Sequence, residues 1–390
     1  MKVYFDNAAT TALDTEVAET MHQAMLHLYG NPSSIHGIGR QSRAAIEEAR
    51  KKIANCIGAS IGEIFFTSGG TESNNMVLKN AVRDLSVERI VTSKLEHHAV
   101  LHTLETLAHQ NLVHVEFVKI DSLGRIDTDD LIEKLQSSSK KTLVSLMHSN
   151  NEIGTMINFA EISHICVQNK ALFHSDTVQT MGFYPINVNE TPISFLIGAA
   201  HKFHGPKGVG FVYINNKNQI KPFIDGGSQE RNMRGGTENL YGIIGSAQAL
   251  EKAYHNLEAR SAHIIDLKTY FKSQLLTNFK GISFVGDAEN GHYKVLNVAF
   301  PKTSKSDLLL FLLDISGIAA SGGSACSSGI DAGSHVLAAM NIPDDYRCVR
   351  FSFSHYNTRA EINYTIGILK SNLPELLIHA EPEIKNHVPI

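Results

Sequence analysis

Cysteine is scarce in this chain: four of 390 residues, Cys56, Cys166, Cys326 and Cys348, with no C-x-x-C pair among them. Such spacing argues against a structural zinc site, a held cluster or a disulfide framework, so each thiol is judged by its own neighbours. Long apolar runs are lacking too. The opening Met1-Lys2-Val3-Tyr4-Phe5-Asp6 has no apolar core of signal-peptide length, and no later run reaches the length of a membrane span. Neither sign of charge dominates, with 35 Lys+Arg against 39 Asp+Glu, and the basic residues are scattered rather than gathered into the stripe of a nucleic-acid binder. These absences predict a soluble cytoplasmic protein with neither a nucleic-acid nor a membrane partner. Histidine is plentiful, and His98 and His102 have the i, i+4 spacing of a helical metal pair. No glutamate follows His98 to complete a metalloprotease pattern, so no metal is expected.

The length suits two domains, with enough apolar residues for both cores. Residues 193–214 are the most informative stretch. The apolar run Ile193 to Ile197 gives way to small residues, His201 and Lys202 arrive together, Gly205-Pro206 turns the chain, and Val209 to Ile214 is β-rich again. Lys202 is therefore presented in a tight connection between two strands, where an amine can be held still and partly desolvated for Schiff-base chemistry. Upstream, Glu63 to Thr67 reads as a strand, Ser68-Gly69-Gly70 as a tight turn and Thr71-Glu72-Ser73-Asn74 as a helix start. A strand, glycine turn and helix start aim backbone N–H groups at a phosphate. The turn is neither a Walker A loop nor G-x-G-x-x-G, which argues against an NTPase or a nicotinamide enzyme.

Strands and helices then alternate, predicting an α/β fold with a mostly parallel sheet wrapped by helices. In such sheets ligands sit beyond the carboxyl ends of the strands, where His97, Asn151, Asp176, Gln179 and Lys202 all fall. The loop 225–239 is polar, glycine-rich and too long for a simple turn, as functional or interface loops are. A helical pattern from Leu240 to Leu276 leads into a smaller α+β unit. The expected division is 1–15 packing with the small domain, 16–255 as the large cofactor-binding domain and 256–390 as the small domain. Within the small unit Cys326 stands among glycines and serines, unlike a buried structural thiol, and is a candidate nucleophile. Alternation in the strand 347–353 puts Arg350 on the face opposite Val349, Phe351 and Phe353, free either to fork onto a carboxylate or to meet solvent.

A strand-end lysine, a phosphate-type turn, an aspartate at a neighbouring strand end and an arginine from a second domain together fit a pyridoxal-phosphate enzyme. The motifs Tyr4 to Thr11, Asn31 to Gly37, Phe66 to Asn75, Glu96 to Val100, Met147 to Gly154, Asp176 to Gln179, His201 to Gly210, Arg234 to Thr237, Ser321 to Ser328 and Arg350 to Ser352 follow one another along nearly the whole chain. In that order they resemble the cysteine desulfurases of the NifS/IscS type, within the class V, fold-type I aminotransferases. The resemblance implies a sulfurtransferase that converts L-cysteine to L-alanine, leaves sulfur as a persulfide on Cys326, and serves iron–sulfur assembly or other sulfur trafficking. It implies pyridoxal 5'-phosphate bound covalently by Lys202, paired at its ring nitrogen with Asp176, hydrogen-bonded by Gln179 and Asn151, and stacked under His97, a candidate acid/base. Gly70, Thr71 and His201 would hold the phosphate, and Thr237 would reach the phosphate of the partner subunit in a homodimer. Arg350 would bind the substrate carboxylate, with Asn151 and Asn31 as further substrate contacts, and a protein sulfur acceptor or iron–sulfur scaffold would be the partner. A selenocysteine lyase or related lyase or transaminase would share Lys202 and Asp176, and a sulfur relay without catalysis is a further alternative. One departure is visible: the family usually has a phosphate-binding serine three positions before the lysine, and here that residue is Ala199.

Overall fold

The computed structural model describes residues 1–322 and 333–378; Cys326 lies outside them. A two-residue strand, β1 (Val3–Tyr4), precedes helices α1 (Thr15–His27) and α2 (Gly37–Ile57). Strands and helices then alternate as β2 (Ile64–Thr67), α3 (Gly70–Leu85), β3 (Arg89–Thr92), α4 (His98–His109), β4 (His114–Phe117), α5 (Thr128–Gln136), β5 (Thr142–Ser145), α6 (Phe159–Gln168) and β6 (Leu172–Asp176). A hairpin of β7 (Phe195–Ala199) and β8 (Gly210–Ile214) follows. A left-handed turn, α7 (Gln229–Asn232), then leads to α8 (Leu240–His255) and α9 (Leu257–Asn278). The second unit contains β9 (Ser283–Val285), β10 (Val295–Pro301), α10 (Leu309–Ile315), β11 (Ile318–Ala319), α11 (His335–Ala339), β12 (Tyr346–Ser352) and α12 (Arg359–Asn372).

Seven strands form the main sheet in the order β2-β8-β7-β6-β5-β3-β4, and every pairing from β7 to β4 is parallel. Only β8 runs against the rest, pairing antiparallel with both β2 and β7. The sheet is thus mostly parallel and flanked by helices, as its apolar strands predict. All residues of β2, β3, β5, β7 and β8 are buried, which a strand covered on both faces requires. Helix α2 covers the sheet with Ile46, Ala49, Ile53 and Ile57, all buried; each isoleucine contributes about 1.5–3 kcal/mol over an exposed one.

A smaller antiparallel sheet, β12-β10-β9, builds the second unit. The chain's first strand belongs beside it. β1 pairs in parallel with β11, and Asp6 bridges to Ser352. Two helices depart from what their sequence pattern suggests. In α1 the apolar series Val17, Met21, Met25, Leu28 suggests one buried stripe, yet Met25 is 49% exposed and the buried positions are Val17 and Ala24. The continuous helix expected from Leu240 to Leu276 is broken at Asn256, whose φ of −105° and ψ of 18° end α8 and start α9. The elbow re-aims the chain so that Ile264, Leu267, Phe271 and Leu275 of α9 are buried, with Phe271 packing edge-on against Phe351 of β12 at 4.9 Å between centroids. Among the described residues no helix is long and apolar enough to cross a membrane.

Candidate active site

The carboxyl ends of β6 and β7, the start of α3 and the segment after β1 converge on Lys202. The residue closes a single 3-10 turn, Ala200–Lys202, between β7 and β8, so both flanking strands fix its backbone. Its Nζ donates to the carbonyls of Ala8 and Ala9, each at 2.7 Å. Gln179 reaches the same carbonyl of Ala8 through Nε2 at 3.0 Å. Its Oε1 is a buried acceptor without a hydrogen-bond partner among the described residues.

Asp176 ends β6 and is 6% exposed. Its carboxylate accepts from Asn74 Nδ2 at 2.7 Å and from the Val178 N–H at 2.9 Å, which fixes its plane. Two features of the Gly69-Gly70 turn bring α3 close to it. Gly69 has φ +154°, a conformation few side chains tolerate, and a Cβ on Gly70 would lie 2.9 Å from Val178 Cγ2. No side chain caps α3, so the N–H groups of its first turn, Gly70 and Thr71 among them, remain for an anion.

His97 caps α4, its Nδ1 accepting from the Ala99 N–H at 3.0 Å. Burial lowers its pKa; Asp176 opposes that shift and Lys202 adds to it. His201 is pushed down to about 4 by burial, with Lys202, Lys207 and Lys294 contributing. Its Nδ1 lies 3.1 Å from Thr10 Oγ1. Both imidazoles are therefore neutral at pH 7.

Arg350 is 1% exposed, so of its two possible environments the solvated one does not occur. Nη2 donates to Asp6 Oδ1 and Nη1 to the Asn151 carbonyl, at 2.7 and 2.8 Å, while Nε is buried without a partner among the described residues. Asn31 and Thr237 are both exposed, and neither contacts this cluster within the protomer, among the described residues. Asn31 makes a local turn, its Oδ1 accepting from the Ser33 N–H at 2.8 Å, and Thr237 lines a small cavity beside Ser68. His98 stacks between His102 and His335 at 4.7 and 4.4 Å, and no group of described residues is placed to hold a metal ion.

This arrangement has close counterparts. The model of the aminotransferase class-V family matches residues 3–365. The cysteine desulfurase IscS of Dictyoglomus turgidum is 43% identical over 382 residues, covering 96% of this chain and 95% of the relative. The IscS of Methanosarcina thermophila is 39% identical, covering 96% and 92%. The chain belongs to the cysteine desulfurases of the class-V aminotransferase family. Among solved structures, a NifS-like protein superposes with a TM-score of 0.88 at 36% identity, over 96% of this chain and all of that one. The apo cysteine desulfurase of Thermococcus onnurineus superposes with a TM-score of 0.85 at 26% identity, over 96% and 95%. Enzymes of this family depend on pyridoxal phosphate.

Several residues of this desulfurase site escape sequence reasoning. Asp6 and Asn74 receive no role there beyond the segments that contain them, yet they hold Arg350 and Asp176. Glu152 is the third. It is 3% exposed, accepts the hydroxyl of Ser334, and burial pushes its carboxyl up to about 7 despite that bond and the nearby charge of Arg350. The unfolded chain releases this proton near the ordinary carboxyl pKa, whereas the folded chain keeps it to about pH 7, so stability falls as pH rises through that window. Glu152→Gln should therefore be more stable than wild type at pH 8, by roughly 3 kcal/mol and with a higher melting temperature, and match it near pH 4. Thermal melts at the two pH values check this; an equal offset at both would place the cause elsewhere.

Proposed function

We propose that this desulfurase converts L-cysteine to L-alanine and passes the sulfur to Cys326 as a persulfide. The observation that carries the reading is the meeting of Lys202, Gln179 and the segment after β1 beside Asp176, with Arg350 anchored to Asp6 of that same segment. The residues present fit pyridoxal phosphate. The unpartnered Gln179 Oε1, the oriented carboxylate of Asp176 and the uncapped start of α3 answer in turn to a ring hydroxyl, a protonated ring nitrogen and a phosphate. Lys202 would hold the aldehyde carbon, Asn151 the ring oxygen beside Gln179, His97 the ring face, and Gly70, Thr71 and His201 the phosphate. When bound, the cofactor would supply an electron sink for the charge left at the substrate Cα.

The rest is the work of the chain's own groups. Arg350 orients the substrate by its carboxylate, using a guanidinium that Asp6 and the Asn151 carbonyl already hold flat. Asn31 is a further substrate contact. Lys202 Nζ takes the Cα proton and returns it, and His97, neutral at pH 7, accepts or donates a proton beside it. The Cys326 thiolate attacks the substrate sulfur, the Cβ–S bond breaks, and its electron pair stays with the carbon skeleton that leaves, reprotonated, as L-alanine. A protein sulfur acceptor, such as an iron–sulfur scaffold, takes the persulfide sulfur onward. The enzyme works as a homodimer in which Thr237 serves the partner's phosphate. In support, the exposed apolar side chains Leu26, Tyr29 and Ile35 flank Asn31, and Gln229 of the loop carrying Thr237 contacts Ser33 at 3.4 Å.

Visible absorbance of the purified protein, recorded before and after L-cysteine, tests the reading together with assays of alanine and sulfide. A lysine-bound pyridoxal band that shifts on adding cysteine is expected, and its absence would leave a relay without catalysis. Ala199 adds a graded test. It is buried, and its Cβ lies 3.8 Å from where a Cβ on Gly70 would stand, so a hydroxyl there borders the phosphate cradle. Ala199→Ser should slow cofactor dissociation by an amount equivalent to about 1 kcal/mol, measured by dilution and absorbance; an unchanged affinity counts against a missing donor.

A further inference from the structure

Two residues beyond Lys202 the chain enters a second cavity, of about 560 Å³. It lies where the β7–β8 connection (Phe203, His204), the α8–α9 elbow (Asn256, Arg260) and the segment after β12 (His355, Tyr356) meet. Its wall is rich in nitrogen atoms without partners. Arg260 Nε and Nη2, His204 Nε2 and His355 Nδ1 are all shut off from solvent with no hydrogen bond among the described residues. His204 is 3% exposed, and its Nδ1 meets the Ala12 carbonyl at 2.9 Å, so Nδ1 carries the proton and Nε2 is a bare acceptor. Its ring packs edge-on against His355 at 4.6 Å.

The acids nearby do not answer Arg260. Asp14 is taken by Lys252 Nζ at 3.0 Å, the Tyr356 hydroxyl at 2.9 Å and the Glu16 N–H at 2.9 Å, and Glu16 is itself paired with Lys252 at 2.9 Å. What Arg260 does meet is an aromatic face: its Cζ stands 5.8 Å from the ring of Phe183, which already carries Lys294 Nζ at 3.9 Å. A guanidinium keeps its proton, so a buried, unpaired fork is a positive charge awaiting an anion.

We propose that this cavity is an oxyanion site, in which the Arg260 fork turns onto two oxygens of a small molecule bearing a phosphate or a carboxylate. A planar fork matches either group, and the space exceeds that of an inorganic ion, within the range of small-molecule pockets. The His204 acceptor suits a hydroxyl on the ligand, such as that of a singly protonated phosphate. The site is separate from the residues proposed to hold the cofactor, so its test does not depend on the desulfurase mechanism.

Titration calorimetry of inorganic phosphate, and separately of acetate, into the cofactor-saturated protein tests the proposal, because a filled cofactor site leaves the α3 cradle blocked. Saturable binding with a Kd on the order of 1 mM is expected for at least one of the two, the tighter one showing which headgroup the site prefers. Arg260→Met should weaken it about tenfold or more, and Arg260→Lys, which keeps the charge without the fork and guards against a misfolded methionine variant, should weaken it less. Binding left unchanged by both substitutions, or no saturable binding of either anion to wild type, would overturn the site.

Discussion

Lys202→Ala is expected to lose the lysine-bound cofactor absorbance and to drop cysteine turnover by a factor on the order of 10⁴, the upper range for removing a positioned acid/base. Two functions disappear at once, the covalent hold on the cofactor and the proton transfer at the substrate Cα. The nearby imidazoles, His201 beside Thr10 and His97 capping α4 through Nδ1, can exchange protons but do not replace an amine in the covalent hold. Lys202→Arg separates the roles. A guanidinium can still donate to the Ala8 and Ala9 carbonyls, keeping the segment after β1 in place, but it serves neither as a nucleophile nor as a base near neutral pH. The arginine variant should therefore melt near the wild-type temperature while remaining as inactive as the alanine one. Either variant turning over cysteine at the wild-type rate would move the chemistry to another amine.

Local pattern made the framework of this site legible. The apolar runs on either side of Lys202 state a hairpin, and the glycine turn after Thr67 states a helix start, because turn chemistry and strand burial are written in adjacent residues. The alternation of strands and helices likewise places His97, Asn151, Asp176 and Gln179 at one edge. Asp6 was beyond such reasoning. Its partner Arg350 lies 344 positions away, and although residues 1–15 are expected to pack with the small domain, nothing in a short strand announces which side chain its aspartate will hold there. Met25 misled for a related reason: an apolar stripe shows which face a helix can bury, not which face a neighbour covers, and α1 turns Val17 and Ala24 inward instead. The break at Asn256 carried a weak signal, an asparagine within a strong helical pattern, and helix propensity alone does not stop a helix there.

Cys326→Ser should keep the cofactor and the spectral response to cysteine yet lose sulfide and alanine production by a factor on the order of 10³ or more, the loss expected when a nucleophile is removed. The other three thiols make the argument sharper. Cys166 is 1% exposed, and burial pushes its pKa to about 12; Cys56 and Cys348, less deeply buried, are pushed to about 11. A thiol must lose its proton to attack sulfur, so at neutral pH these three are poor nucleophiles by a wide margin. Cys348 is the only serious competitor, being half-buried on β12 two residues before Arg350, but there it packs with Leu95, Ile153 and Val336 in an apolar cluster. Cys348→Ser should therefore leave turnover within about twofold of wild type, as a substitution outside the reacting groups does. Alkylating the enzyme after one turnover and mapping the sulfane sulfur by mass spectrometry decides between them: sulfur on Cys326 is expected, and sulfur on Cys348 with an active Cys326→Ser variant would reassign the nucleophile.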